Sequence, residues 1–186
     1  MDRKPVVAGQ FYPGSKQEWE PKVREYLQPQ TGEDKRQAKL VMLPHAGHVF
    51  SGHVAGATLA QVSLPQSILL LGPNHSGQGE GVAVWPDGQW QLPGAHLEVD
   101  SELAGAIIEA DPVATSDYQA HRAEHSLEVL LPFIWAQNPE TQIVPICISL
   151  PDRDKLEHLA QNIAQVLKNW KGDVGRSEER RVGKEC

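Results

Sequence analysis

The sequence predicts an α/β domain with a mainly parallel central sheet flanked by helices. Two observations carry this. Three short runs, 39–43 (KLVML), 67–71 (SILLL) and 142–148 (QIVPICI), are apolar at odd and even positions alike, and the first two stop at Pro44 and at Gly72-Pro73. Strands of that kind are buried on both faces, as parallel sheets require. Segments of helical periodicity lie between them, so strand and helix alternate along the chain.

Each element follows in order. Ser15-Lys16-Gln17-Glu18 has the S-x-x-E form of a capping box, which predicts a helix running to about residue 27, with Pro21 in or near its first turns. The first buried strand is 39–43. Residues 51–62 (SGHVAGATLAQV) are small and apolar and predict a tightly packed helix. The second buried strand is 67–71. Residues 82–85 and 89–91 flank Pro86-Asp87-Gly88, a hairpin signal. Asp100 or Ser101 starts a helix that reaches residue 110. Residues 124–135 are helical in pattern, with Pro132 as a kink. The third buried strand is 142–148. Leu156, Leu159, Ile163, Val166 and Leu167 make 155–170 an amphipathic helix, after which 171–174 reads as a turn entering a new strand.

The chain has 186 residues, which fits one domain, and a net charge of −7, which does not suggest a nucleic-acid binder. No run reaches the roughly 18 apolar residues of a membrane span. Met1-Asp2-Arg3-Lys4 leads into Pro5 without an apolar stretch, so no secretory signal is expected. Two cysteines, Cys147 and Cys186, are too few for a disulfide framework and fit a reducing, cytoplasmic setting. Cys147, inside the third strand, is expected to pack rather than react. The run 176–186 (RSEERRVGKEC) has no apolar face of either period. It fits a charged tail, but it also resembles the translation of a sequencing adapter. The second reading makes 1–175 a partial, C-terminally truncated domain and 176–186 non-native.

The eight histidines carry the chemistry. In α/β sheets, sites lie outside the carboxyl ends of the strands. His45 follows the first buried strand in Pro44-His45-Ala46-Gly47. His75 follows the second in Pro73-Asn74-His75-Ser76-Gly77. If those strands are near neighbours, both imidazoles reach one crevice, and imidazole suits Zn, Cu and Fe(II). Taken singly, either could be a loop histidine bonded to nearby backbone. In 121–128 (HRAEHSLE), His121 and His125 are four apart, and His125 and Glu128 three apart. On a helix these share a face. That allows a metal pair, or a general base oriented by a carboxylate. It equally allows a charged helix start, with Glu124 favoured by the dipole. His48 could reach the His45 crevice, while His96 falls in a loop and His158 on a solvated helix face.

Four ordered stretches resemble the Memo family, whose bacterial and archaeal members are called AmmeMemoRadiSam system protein B. Residues 3–13 (RKPVVAGQFYP) resemble its N-terminal signature. Pro44-His45-Ala46-Gly47 with Ser51-Gly52 resembles its PHAGY-x-x-SG element, and Leu71-Gly72-Pro73-Asn74-His75 its LGPNH element. Residues 121–133 resemble its HR-x-EHSLE-x-x-LPF block.

The resemblance implies the fold of class III extradiol dioxygenases and a metal pocket, with Fe(II) expected first and copper second. It implies His45 and His75 as metal ligands and His125 as the catalytic acid/base. Phe11, His48 and Glu128 are the implied substrate-binding residues. It further implies AMMECR-type and radical SAM proteins as partners, and leaves two readings open. One is a dioxygenase-like oxidoreductase acting on an unknown small substrate. The other is a non-catalytic module that binds a metal, a peptide or a partner. Eukaryotic Memo is described as binding phosphopeptides, but no arginine cluster adjoins the pocket motifs here. Two departures stand out. His48 replaces the family's Tyr, and the SSD-type segment that supplies a further ligand does not occur. Two histidines alone hold a metal weakly, so poor iron binding by these residues is expected.

Overall fold

The computed structural model describes residues 1–28 and 35–172. The predicted strand entry at 173–174, the 176–186 tail and Cys186 lie outside the described residues. Helix α1 (Lys16–Tyr26) starts after Ser15, whose hydroxyl donates to the Glu18 carboxylate at 2.7 Å. It buries Trp19, Val23 and Tyr26. Helix α2 (His48–Ala60) packs against it through two glycines four residues apart. A Cβ at Gly56 would sit 2.5 Å from the Tyr26 carbonyl oxygen, and one at Gly52 would sit 2.6 Å from the Tyr26 ring. Only glycine lets the two backbones approach this closely.

The strands are β1 (Ser67–Pro73), β2 (Val82–Val84), β3 (Gln89–Leu92), β4 (Ala95–Glu98), β5 (Ala114–Ser116) and β6 (Gln142–Ile148). Four of them form one sheet in the order β1-β6-β2-β5. β1 pairs with β6 in parallel and β2 with β5 in parallel, while β2 and β6 run antiparallel. The sheet is therefore mixed but mainly parallel, and helices cover both faces, as the apolar runs predict.

Period-two alternation on β6 splits the core. Ile143 and Cys147 join Trp19, Tyr26 and Phe133 on the side of α1, α2 and α4 (Leu131–Gln137). Val144 and Ile146 join Leu103, Ile107 and Leu159 on the side of α3 (Ser101–Ala110) and α5 (Arg153–Asn169). Both of these last helices start on side-chain caps. Asp100 accepts from the Leu103 amide, and Asp152 from the Lys155 amide.

Three expectations need correction. Residues 39–43 form no strand among the described residues, and Leu40 and Met42 are 80% and 88% exposed. The apolar pattern is that of a buried strand, but among the described residues the main sheet ends at β1 on this side. The segments around Pro86-Asp87-Gly88 do not form a hairpin with each other. β2 stays in the main sheet, and β3 pairs with β4 across Pro93-Gly94, where Gly94 has φ 73°. The turn that reverses the chain is thus a Pro-Gly pair, and His96 lies in β4 rather than in a loop. Finally, 124–135 is not one helix. Two 3-10 turns, at Gln119–His121 and Glu128–Leu130, precede α4, and Pro132 starts that helix instead of kinking it.

His121 is the buried consequence of that broken segment. It is fully buried, with its Nε2 3.0 Å from the Ala83 carbonyl and its Nδ1 3.3 Å from the Cys147 sulfur. A carbonyl only accepts, so Nε2 carries the hydrogen and Nδ1 accepts from the thiol. Burial pushes the imidazole down to about 4, and the Cys147 thiol up to about 12. The folded-state value lies below the unfolded one of about 6.5, so the unfolded chain takes up the proton first as pH falls. The stabilisation is complete above about pH 6.5 and is lost between there and about pH 4, in total about 3 kcal/mol. Urea midpoints measured at pH 7 and pH 5 should show this loss, and His121→Phe should flatten it.

Candidate functional site

β1 ends at Pro73, and the next amide, Asn74, donates to the Ile148 carbonyl at the end of β6. The Asn74 side-chain oxygen then accepts from the Ser76 amide, the Ser76 hydroxyl and the Gly77 amide. This closes a tight loop with His75 inside it, just past the carboxyl end of β1. The 124–127 segment is clamped against the same strand end. The Ser126 hydroxyl donates to the Pro73 carbonyl at 3.0 Å, and a Cβ at Gly72 would lie 2.6 Å from Leu127.

Glu124 is the hub. Its Oε1 accepts from His75 Nδ1 at 2.9 Å, from the His125 amide at 2.9 Å and from the Ser126 amide at 2.8 Å. Its Oε2 accepts from the His75 amide. His125 Nδ1 lies 3.4 Å from Oε1. Burial alone would raise the Glu124 carboxyl, but these hydrogen bonds, led by that of the His75 side chain, hold it down at about 2. The carboxylate is therefore charged at any physiological pH.

Three imidazoles gather in front of it. The ring centroids of His75 and His125 are 4.7 Å apart and nearly parallel, and His45 lies 5.3 Å from His75 and 6.1 Å from His125. Phe11 tilts over His125 at 4.8 Å. One ligand atom each from His75, Glu124 and His125 lie within 4.8 Å of one another, a spacing that could hold a metal ion. The side chains of His75 and His125 are 46% and 24% exposed, but that of Glu124 only 1%. Solvent reaches the rings, and the carboxylate acts from behind them. Burial, then the two neighbouring histidines, lower the His45 imidazole below its usual value. That favours the neutral ring, the form that binds metals.

The predicted residues divide accordingly. His45, His75, His125 and Phe11 come together. Glu128 and His48 do not join them. Glu128 is fully buried and accepts from Arg3 at 2.7 Å, from the Val6 and Val7 amides and from the Tyr12 hydroxyl. His48 is 4% exposed and gives Nε2–H to the Val129 carbonyl, between Tyr12 and Phe133. Among the described residues, His48 Nδ1 has no partner. His121 and His125 share no face, because no helix runs between them. Glu124 is the site residue that sequence reasoning passed over as a dipole charge. Its one signal is adjacency, a carboxylate immediately before a pocket histidine.

A family model described as Memo-like protein matches residues 3–175. A MEMO1 family protein of Thermococcus onnurineus is 39% identical over 183 residues, an alignment that covers 94% of this chain and 62% of the relative. One from Methanopyrus kandleri is 36% identical over 178 residues, covering 89% and 63%. One from Aquifex aeolicus is 36% identical over 168 residues, covering 89% and 62%. The chain thus spans less than two thirds of the length of these relatives.

Proposed function

The chain belongs to the Memo-like protein family, and from that premise we propose that its histidine cluster holds a divalent metal, Fe(II) first and copper second, for oxidoreductase chemistry on a small substrate. The activity is proposed for a protein of the relatives' length.

The observation that carries this reading is the buried Glu124 carboxylate behind the exposed His75 imidazole and the half-buried His125 imidazole. Metal-binding histidines characteristically donate one ring N–H to a carboxylate, which fixes the tautomer and frees the other nitrogen. His75 does this through Nδ1, which leaves Nε2 for the ligand. His125 points Nδ1 at the same oxygen from 3.4 Å. Nitrogen donors with a carboxylate close by suit Fe(II) and Cu(II). When bound, such an ion supplies a Lewis-acidic, redox-active centre.

The chain's own groups do the rest. His45 and His75 would hold the ion. His125 would move a proton at its Nε2, since Nδ1 stays directed to Glu124. Phe11 packs against one side of His125 and limits where a substrate can approach it. Glu128 and His48, engaged elsewhere, would support the walls and not touch substrate.

Anaerobic titration with Fe(II), followed by oxygen uptake with a catechol panel, tests this. Saturable, labile binding is expected, near one ion per chain at equilibrium and lost on gel filtration. His75→Ala should abolish it. Equal binding by His75→Ala would sink the metal reading. Binding without any uptake by a chain of the relatives' length would leave a metal-binding module and remove the oxidoreductase.

A further inference from the structure

Arg3 is buried, and its backbone is bonded to β3 on both sides. Its amide donates to the Gln89 carbonyl at 2.9 Å, and its carbonyl accepts from the Gln91 amide at 2.8 Å. Its guanidinium stands 4.3 Å from the Trp90 ring centroid. From that anchorage it reaches three points of the 121–128 segment at once. Nε donates to the His121 carbonyl at 2.9 Å, Nη2 to the Glu124 carbonyl, and Nη1 to Glu128 Oε2 at 2.7 Å. A planar guanidinium offers such a rigid fork, and a lysine ammonium on its flexible stem does not. The Glu124 carbonyl belongs to the peptide group whose N–H is that of His125. That N–H donates to Glu124 Oε1 at 2.9 Å. Arg3 therefore holds one end of this peptide plane, and the carboxylate that orients His75 holds the other. Turning the plane breaks both bonds. The cationic donor on the carbonyl also polarises the amide and strengthens its N–H as a donor to Glu124.

The other member of the ion pair acts on Phe11. Glu128 accepts from the Val7 amide at 3.0 Å, and the Val7 carbonyl accepts from the Phe11 amide at 2.8 Å. The Phe11 carbonyl in turn accepts from the His48 amide at 2.7 Å, where α2 starts three residues after His45. The Phe11 ring meets the His125 ring at 4.8 Å. One buried pair thus holds both members of this ring contact, His125 through Arg3 and Phe11 through Glu128. We infer that Arg3 is a positioning residue of the histidine site. With Glu128 it fixes the 124–125 peptide and the Phe11 wall, and so sets the face that His125 and Phe11 turn to an incoming substrate. The inference rests on the reading of the cluster as the functional site, and not on which ion the site takes.

NMR of the histidine rings tests it, because the native signal reports the folded molecules and a change in stability alone does not move it. The unaltered chain, labelled with carbon-13 at histidine Cε1, is compared with Phe11→Leu, with Arg3→Lys and with the double variant Arg3→Met, Glu128→Leu. His125→Gln identifies the His125 signal by its loss. Phe11→Leu gives the position of that signal without the neighbouring ring's field. Arg3→Lys keeps the charge opposite Glu128 but not the fork, and the double variant removes both charges together. In each, the His125 signal should move most of the way to its Phe11→Leu position. Fe(II) affinity, titrated anaerobically on the folded variants, should fall about tenfold or more. If Arg3→Lys does not fold, the double variant carries the comparison. An unmoved His125 signal in a folded variant would overturn the proposal and leave the pair a purely structural one. A moved signal with unchanged Fe(II) affinity would overturn the link through the 124–125 peptide. A moved signal in a chain that takes up no Fe(II) even when unaltered would support the positioning role and sink the metal reading instead.

Discussion

Glu128→Ala should destabilise the fold by roughly 3–5 kcal/mol, a large share of the ~5–15 kcal/mol that holds a domain together. Arg3 and Glu128 are 2% and 0% exposed and lie 2.7 Å apart. The Arg3 guanidinium also donates to the His121 and Glu124 carbonyls and lies 4.3 Å from the Trp90 ring centroid. Removing the carboxylate leaves that cation buried without its counter-charge. It also orphans the Val6 and Val7 amides and the Tyr12 hydroxyl, whose proton burial and Glu128 hold far more tightly than usual. Replacing both partners, Arg3→Met with Glu128→Leu, should recover part of the loss, because the two desolvation costs then vanish together. Urea unfolding followed by tryptophan fluorescence measures all three proteins. If Glu128 instead contacted substrate, Glu128→Gln would weaken ligand binding and leave the urea midpoint in place. A loss below about 1 kcal/mol for Glu128→Ala would contradict the buried-pair account.

The same pair shows what sequence could and could not convey. Helices α1, α3 and α5 were legible because capping and 3.6-residue spacing are local, and Asp100 and Ser101 mark the start of α3 within a residue. β1 and β6 were legible because strands buried on both faces are apolar throughout. Residues 39–43 carry the same pattern, yet pattern alone does not say whether a partner strand is present to pair with. The 121–128 block was misleading for a different reason. Its four- and three-residue spacings match a helix, but Glu124 and Glu128 instead accept from partners far along the chain, the His75 amide and ring for Glu124 and Arg3, Val6, Val7 and Tyr12 for Glu128. Those hydrogen bonds are long-range, 121 or 122 residues apart in the case of Glu128 with Val7 and Val6. No window of sequence contains both ends. The histidine cluster was half legible. Position after an apolar run singles out His45 and His75, but the carboxylate that orients His75 comes from a segment 49 residues away.

That carboxylate carries the second large effect. Glu124→Gln should weaken metal binding about 10–100-fold, the usual cost of losing an orienting partner behind a ligating histidine. A carboxylate offers about four lone-pair positions. The His75 amide, His75 Nδ1, the His125 amide and the Ser126 amide already use them. Three of these bonds fall on Oε1 and one on Oε2, so Glu124 orients the rings chiefly through Oε1. A glutamine has one oxygen where the site asks for two, and its NH2 group would meet an N–H donor head-on. His75 would then lose its bias toward the Nδ1–H tautomer, and a proton on Nε2 would compete with the ion. Nitrogen-15 NMR of the His75 side chain should show that mixture, which a purely structural role for Glu124 would not produce. Some stability should go too, as donors lose their acceptor, so affinity is to be measured under conditions where the variant is fully folded. Retained affinity with an altered tautomer would break the link between orientation and binding. Complete loss of binding in the folded variant, matching His75→Ala, would instead make Glu124 a ligand in its own right.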